Sequence, residues 1–212
     1  MLLAIKNERI IGAIVLKCFM LPNKKKYGLL YWGFTCPDVR GEGVGKLLYS
    51  AGIESLQNQG CEQIFGCIEG NNTASSNLLA HEGFTILSPW QQWRIFGLNT
   101  PFLWWHTFHY IDVGHFLWAR PAPYKQESST VQWLAVMFLN TCIALFALSR
   151  FMGTKAFSHD MIVSATLAML IVLAARYVGM KFTAIAAGMK TRYRAWESGF
   201  PLRIILAIFG AI

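Results

Sequence analysis

The sequence predicts an α/β domain followed by transmembrane α-helices, and three observations carry that expectation. Strand-like apolar segments alternate with segments of helical period from residue 2 to about residue 118. Beyond a polar link, long runs almost free of charge dominate the chain to residue 212. The composition, 54% hydrophobic and 14% charged with a mean hydropathy of +0.38, exceeds what a soluble domain of this length carries.

Residues 2–6 and Arg9 to Met20 are rich in Ile, Val and Leu and are split by Asn7-Glu8, which reads as two strands joined by a hairpin turn. Lys24-Lys25-Lys26 is a solvated turn, and Tyr27 to Thr35 is a third strand. Gly28 and Gly33 within it mark a bulge or a close backbone approach. From Gly43 the period changes: Val44, Leu47, Leu48 and Ala51 fall on one helical face, and Gly60 stands where that helix ends. Residues 61–68 form another short strand, Asn71-Asn72-Thr73 offers an N-cap, and Ala74 to Glu82 is a short helix stopped by Gly83. Strand-like, aromatic-rich stretches then run through Trp118. Arg120 to Thr130, with its Pro and Ser residues, is the link between a first domain, 1–122, and a second, 123–212.

Val131 to Ser149 contains no charged residue and is long enough, beside the ~20 apolar residues a bilayer core requires, to be a spanning helix. A second span covers 161–180, with Arg176 able to snorkel, and 203–212 reads either as the start of a truncated third span or as an interfacial tail. Residues 128–212 hold eight Lys/Arg against two Asp/Glu, whereas residues 1–127 hold 11 against nine, so six of the eight net positive charges sit in the apolar half. Basic residues flanking apolar runs set membrane orientation; they are not a nucleic-acid footprint, and no nucleic-acid partner is expected. Arg176, Lys181, Lys190, Arg192, Arg194 and Arg203, opposed only by Glu197, place the end of the second span in the cytoplasm. Two spans return the first domain to the same side. The expectation is an integral membrane protein with membrane lipid as a partner, a cytoplasmic N-terminal domain and oligomer contacts through the membrane region. Cys18, Cys36, Cys61, Cys67 and Cys142 form no CxxC pair and read as reduced thiols. Met1 to Lys6 has no basic segment ahead of a long apolar one, so no export signal is expected.

The chemistry is carried by Cys36-Pro-Asp-Val-Arg40-Gly-Glu-Gly-Val-Gly-Lys46, which sets glycines at alternate positions immediately before a helix. Backbone N–H groups freed of side-chain obstruction can turn into one concavity, and the helix N-terminus adds partial positive charge, so the segment suits a pyrophosphate. Gly45-Lys46 is followed by Leu47, which excludes a Walker loop, and the GxGxG spacing is not the GxGxxG of a dinucleotide fold. The segment resembles the coenzyme A loop of the GCN5-related N-acetyltransferase (GNAT) family. Asn72 to Phe84 resembles the same family's later motif, in which an Asn caps a short helix ending in Gly-Phe.

That resemblance implies a GNAT-like mixed sheet with flanking helices and acetyl-CoA as co-substrate, bound where the strand of residues 31–36 splays from that of residues 61–68. It implies that backbone groups of Phe34, Thr35 and Cys36 hold the pantetheine and polarise the thioester, that Arg40, Gly41, Glu42, Gly43, Val44, Gly45 and Lys46 cradle the pyrophosphate, and that Asn72 contacts the cofactor arm. An amine acceptor would attack the thioester directly. Two departures stand out. Leu79 occupies the place of the tyrosine that many members use as general acid, and Met1 falls almost on the second strand, ahead of which the family carries a strand and two helices. Glu69, at the end of its strand, is the candidate general base. Cys36 reads as a strand-end thiol, since no His or Asp pattern stands near it to activate a nucleophile. His106, His109, Asp112 and His115 recur every three residues, but the aromatic alternation around them reads as a strand, which scatters them over two faces, and no HExxH occurs, so no metal is expected. The function read from the sequence is a membrane-tethered N-acyltransferase. The alternative is a non-catalytic membrane protein whose degenerate GNAT domain binds acyl-CoA or serves assembly.

Overall fold

The computed structural model describes residues 1–108, 114–121, 128–188 and 199–209, and the chain divides into two compact units, Met1–Gln126 and Glu127–Ile212.

The first unit begins with β1 (Leu2–Lys6) and β2 (Arg9–Met20). Lys6 pairs with Arg9, and the two turn residues between them, Asn7 and Glu8, take φ of 49° and 61°, the two-residue hairpin geometry whose twist matches that of its strands. Next come β3 (Lys26–Thr35), α1 (Val44–Asn58), β4 (Gln63–Glu69), α2 (Thr73–His81) and the short β5 (Thr85–Ile86). Two helices, α3 (Pro89–Phe96) and α4 (Thr100–Thr107), precede the closing strand β6 (His115–Arg120). The strands form one mixed sheet of order β1-β2-β3-β4-β6-β5, in which only β3 and β4 run parallel.

Alternation along the strands sends side chains to two apolar clusters. Ile14, Leu30 and Ile64 pack with Leu48, Ile53 and Leu56 of α1 and Leu79 of α2. Leu29 and Phe65, one residue out of phase, pack on the other face with Phe96 of α3 and Leu103 of α4. Gly28 lets α1 pack tightly on β3: a Cβ there would meet the Leu56 side chain at 3.0 Å.

Two readings of the sequence require correction. The stretch of residues 89–107 is helical, not strand-like. Ser88 caps α3 in a reciprocal box with Gln91, Pro89 opens the helix, and Gly97, at φ 52°, ends it. Aromatic residues favour strands only where a pleated surface receives them. His106 consequently lies on α4, stacked on Phe19 with ring centroids 4.6 Å apart, and His115 lies on β6. His109 and Asp112 lie outside the described residues. The buried face of α1 is also rotated: Val44, Leu48, Tyr49, Gly52, Ile53 and Leu56 face inward, while Leu47 is exposed.

The second unit contains α5 (Ser129–Met152), α6 (His159–Ala186) and α7 (Gly199–Ile208). The helical stretch Ser129–Phe157 and α6 are long and apolar enough to cross a membrane, with mean hydropathies of 1.9 and 2.0. Ser128 and Ser158 cap their first turns. Within this unit Val136 packs on Leu173, Ala207 packs with Ile143 and Ala147, and Arg203 donates to the Asn140 side-chain oxygen.

Candidate functional site

The sheet opens at one place. β3 and β4 pair from Tyr27↔Gln63 to Leu30↔Gly66 and then part, although β3 continues to Thr35 and β4 to Glu69. A register shift between β2 and β3, where Val15↔Trp32 is followed by Leu16↔Leu30, leaves Tyr31 as an extra residue at the start of the separation. Such a bulge bends the strand and re-aims the residues beyond it. Residues past Leu30 on β3 therefore lack a β4 partner for their backbone groups, while their other edge remains paired with β2 as far as Gly12↔Thr35.

A cavity of about 640 Å³ lies beside this free stretch of β3. Its walls bring together Phe34 and Thr35 of β3, the loop and first turn from Arg40 to Lys46, and Asn72 with Ser75 at the start of α2. The loop folds as its glycines dictate. Gly41 and Gly43 take φ of 89° and 84°, in the left-handed region that a Cβ disfavours. Gly43 is the N-cap of α1 and supplies no side-chain cap, so the first-turn N–H groups of Val44, Gly45 and Lys46 stand at the cavity without the acceptor that a Ser or Asp would give them. Those amides, the positive end of α1 and the cations of Arg40 and Lys46 give one wall of the cavity the character that an anion requires. On the opposite side the Asn72 side chain accepts from the Ser75 N–H at 3.0 Å, fixing the start of α2.

Of the expected cofactor-binding residues, Phe34, Thr35, Arg40, Gly41, Gly43, Val44, Gly45, Lys46 and Asn72 line the cavity. Cys36 and Glu42 do not. The Cys36 N–H is taken up by the Ile11 carbonyl at 2.9 Å, and its thiol lies 3.6 Å from the Ile10 carbonyl. Glu42 instead pairs with Lys6 at 2.9 Å, and Asp38 with Arg9 at 2.8 Å, so two ion pairs tie the loop to the β1–β2 hairpin. Glu69 ends β4 opposite His115 of β6, on the parted segment but outside the cavity wall. Leu79 is wholly buried beneath Gly66.

Tyr49 was not foreseen from the sequence. It lies on α1 against Gly33, lines the cavity and shares a side-chain hydrogen bond with Ser75. Burial holds its phenol above the ordinary value, partly offset by the Ser75 hydroxyl. Its signal in the sequence was its place five residues after Val44, which becomes visible only once the buried face of α1 is known.

No curated protein sequence matches the chain. Among solved structures it is similar to the NatC complex bound to Gag peptide and CoA, at 23% identity over 55% of this chain and 67% of that one, with a TM-score of 0.42. The acetyltransferase of the GNAT family from Streptococcus pneumoniae is similar at 24% identity over 41% of this chain and 51% of that one, TM-score 0.38. Arabidopsis thaliana Naa50 in complex with the bisubstrate analogue CoA-Ac-MVNAL is similar at 18% identity over 56% and 70%, TM-score 0.41. The chain thus spans from about half to somewhat over two thirds of these structures. Residues 1–84, which include the glycine loop, the parted strands and α2, match the model of the Acetyltransferase (GNAT) family, a match that supports a GNAT-like mixed α/β fold for the N-terminal unit.

Proposed function

We propose that residues 1–122 bind acetyl-CoA in this cavity and transfer its acetyl group to an amine, and that residues 123–212 hold the domain at the cytoplasmic face of a membrane. The observation that carries the reading is the parting of β3 from β4 directly beside an uncapped, glycine-led helix N-terminus. The pyrophosphate would lie on the amides of Val44 to Lys46 with Arg40 and Lys46 as counter-charges. The pantetheine arm would add as a partial strand to the open backbone of Phe34 and Thr35. The acceptor's nitrogen attacks the thioester carbonyl, the C–N bond forms as the C–S bond breaks, and the proton lost by the amine balances the thiolate that leaves as coenzyme A thiol. Backbone N–H groups on the open edge of β3 stabilise the developing oxyanion. Glu69, on the free end of β4, is the carboxylate assigned to deprotonate the acceptor.

The tether reading is supported by α6, whose most apolar window is only 6% buried; the core helix of a soluble protein would be mostly enclosed. In this reading membrane lipid is a partner, and the exposed apolar faces of α5 and α6 also suit contacts between copies. A second reading, a non-catalytic domain that binds acyl-CoA or serves assembly, is favoured by the burial of Leu79, which leaves no proton donor at that place.

Calorimetric titration of the full chain in detergent with acetyl-CoA tests the site. Saturable binding that disappears in Gly43→Trp is the expected result, and a folded sample that takes up no acetyl-CoA sinks the reading. Release of coenzyme A thiol in the presence of an amine panel then separates the enzyme from the non-catalytic module.

A further inference from the structure

The helices α3 and α4 carry large apolar side chains on two faces, one against the sheet and one outward. Against the sheet they bury Phe96 and Leu103 together with four polar side chains, Gln91, Gln92, Thr100 and Thr107. Gln92 is satisfied there, donating to the Leu87 carbonyl at 3.1 Å and accepting from the Trp104 indole at 2.5 Å, and the Thr107 hydroxyl donates to the Leu103 carbonyl at 2.9 Å. Facing outward are Trp90, Trp93, Leu98, Phe102 and Trp105, between 42% and 86% exposed. Trp90 and Trp93 fall three residues apart on α3, Phe102 and Trp105 three apart on α4, and Leu98 lies on the turn that joins the two helices. No Asp or Glu occurs from Ser88 to Phe108, and the one formal charge, Arg94, is positive and exposed. An aromatic surface of this kind exceeds the scattered apolar residues of an ordinary exterior.

We propose that this surface is a bilayer-docking face of the acetyltransferase unit, seated at the headgroup level of a membrane containing anionic lipid. The inference rests on the tether reading above and goes beyond it, because it assigns membrane contact to the globular unit itself. Three observations choose lipid over a protein partner. Trp and Phe are the side chains that the bilayer interface favours, their rings apolar and their indole N–H wet. The absence of acidic residues and the presence of Arg94 suit a negatively charged surface. β6 ends at Arg120 and the first apolar span opens at Ser129, a link too short to carry the domain more than about 30 Å from a bilayer that the span enters. The face also runs toward the cavity: Phe108, at the end of α4, lies 5.6 Å from Tyr31, and Tyr31 lies 6.0 Å from Trp32, two residues before the cavity-lining Phe34. Docking would set the cavity mouth beside the headgroups, where the acceptor would be an amine presented at the membrane surface.

The test uses the full chain in phosphatidylcholine–phosphatidylglycerol vesicles whose acyl chains carry bromine, a short-range quencher of tryptophan. In a W133F/W196F background, which removes both tryptophans of residues 123–212, shallow bromines should quench the remaining fluorescence. Adding W90S, W93S and W105S should remove most of that quenching while circular dichroism and acetyl-CoA binding persist; W90S alone, a milder change, should lower it in part. If Trp133 of the unaltered chain is quenched but the background is not, the docking face falls and the tether stands. Quenching of neither overturns both. A triple variant that turns a sedimenting dimer into a monomer with quenching unchanged assigns the face to a second copy and overturns the lipid reading.

Discussion

Leu79 places its Cδ1 atom 2.9 Å from the point at which a side chain on Gly66 would begin, and Gly66 is the last residue of β4 that pairs with β3. The contact therefore lies at the fork of the parted strands. In the GNAT pattern this place often holds a tyrosine reaching toward the cofactor sulfur; here an aliphatic side chain packs into the core between α2 and β4. Changes of volume in either direction should be felt. Leu79→Ala leaves a void and should cost about 2–5 kcal/mol in denaturant unfolding. Leu79→Tyr adds volume to a site without room and should cost about 1–3 kcal/mol. Gain of acetyl transfer in Leu79→Tyr without loss of stability would contradict this packing.

Gly43→Ala isolates backbone strain from steric blockage. Nothing lies within 4 Å of a Cβ built there, but φ is 84°, a region that costs a non-glycine residue about 1 kcal/mol or more. The loop should relax away from the left-handed turn and swing the first amides of α1 off the anion. Acetyl-CoA affinity should fall several-fold, with a small drop in melting temperature. An Ala variant that binds as tightly as the parent would show that those amides do not hold the pyrophosphate.

Asn72→Ala removes an N-cap and a cavity wall in one change. The lost hydrogen bond to the Ser75 N–H should cost about 1 kcal/mol of stability. Asn72→Ser restores the cap with a shorter side chain. It should recover the stability but not the full acetyl-CoA affinity, and calorimetry beside thermal melts separates the two effects.

Much of this geometry was legible in the sequence, for identifiable reasons. The glycines of residues 41–45, the Asn72 cap and the Asn7-Glu8 turn are decided by local backbone chemistry, which a sequence displays directly. The order of strands and helices through Ile86 came from hydrophobic period. α3 and α4 were missed because aromatic and apolar residues stand on their outward face as well as on the buried one, and glutamines share the buried one, so no single apolar stripe marks a helix. The placing of Tyr49 at the cavity and the use of the Cys36 N–H by Ile11 depend on the rotation of α1 and on the β2–β3 register, which are tertiary outcomes.

Lys6 and Arg9 should matter to binding more than to stability. Their ion pairs with Glu42 and Asp38 are about half exposed, and such pairs contribute up to about 1 kcal/mol each, less in salt. Because both anchor the glycine loop to the hairpin, the double variant Lys6→Ala/Arg9→Ala should melt within a few degrees of the parent yet bind acetyl-CoA more weakly. High salt should narrow that difference. Equal affinities at low salt would show that the loop holds its shape unaided.

Alkaline pH should destabilise the first unit through Cys61. Burial pushes this thiol up to about 11 from an ordinary 9.0, and the Cys18 thiol 3.6 Å away adds to the effect. The folded chain thus keeps the proton where the unfolded chain releases it. Below pH 9 both states are neutral at this group and its contribution is full. Between about pH 9 and 11 the unfolded chain deprotonates first, so stability falls with each step of pH; above that both states are thiolates and the loss is complete. Tyr49, also raised by burial, should add a further decline above its ordinary 10.0. Denaturant unfolding across this range should therefore show Cys61→Ala flattening the earlier part of the fall and leaving the later part in place. A variant whose profile overlays the parent would remove Cys61 as the cause, and a fall beginning well below pH 9 would point to a group other than these two.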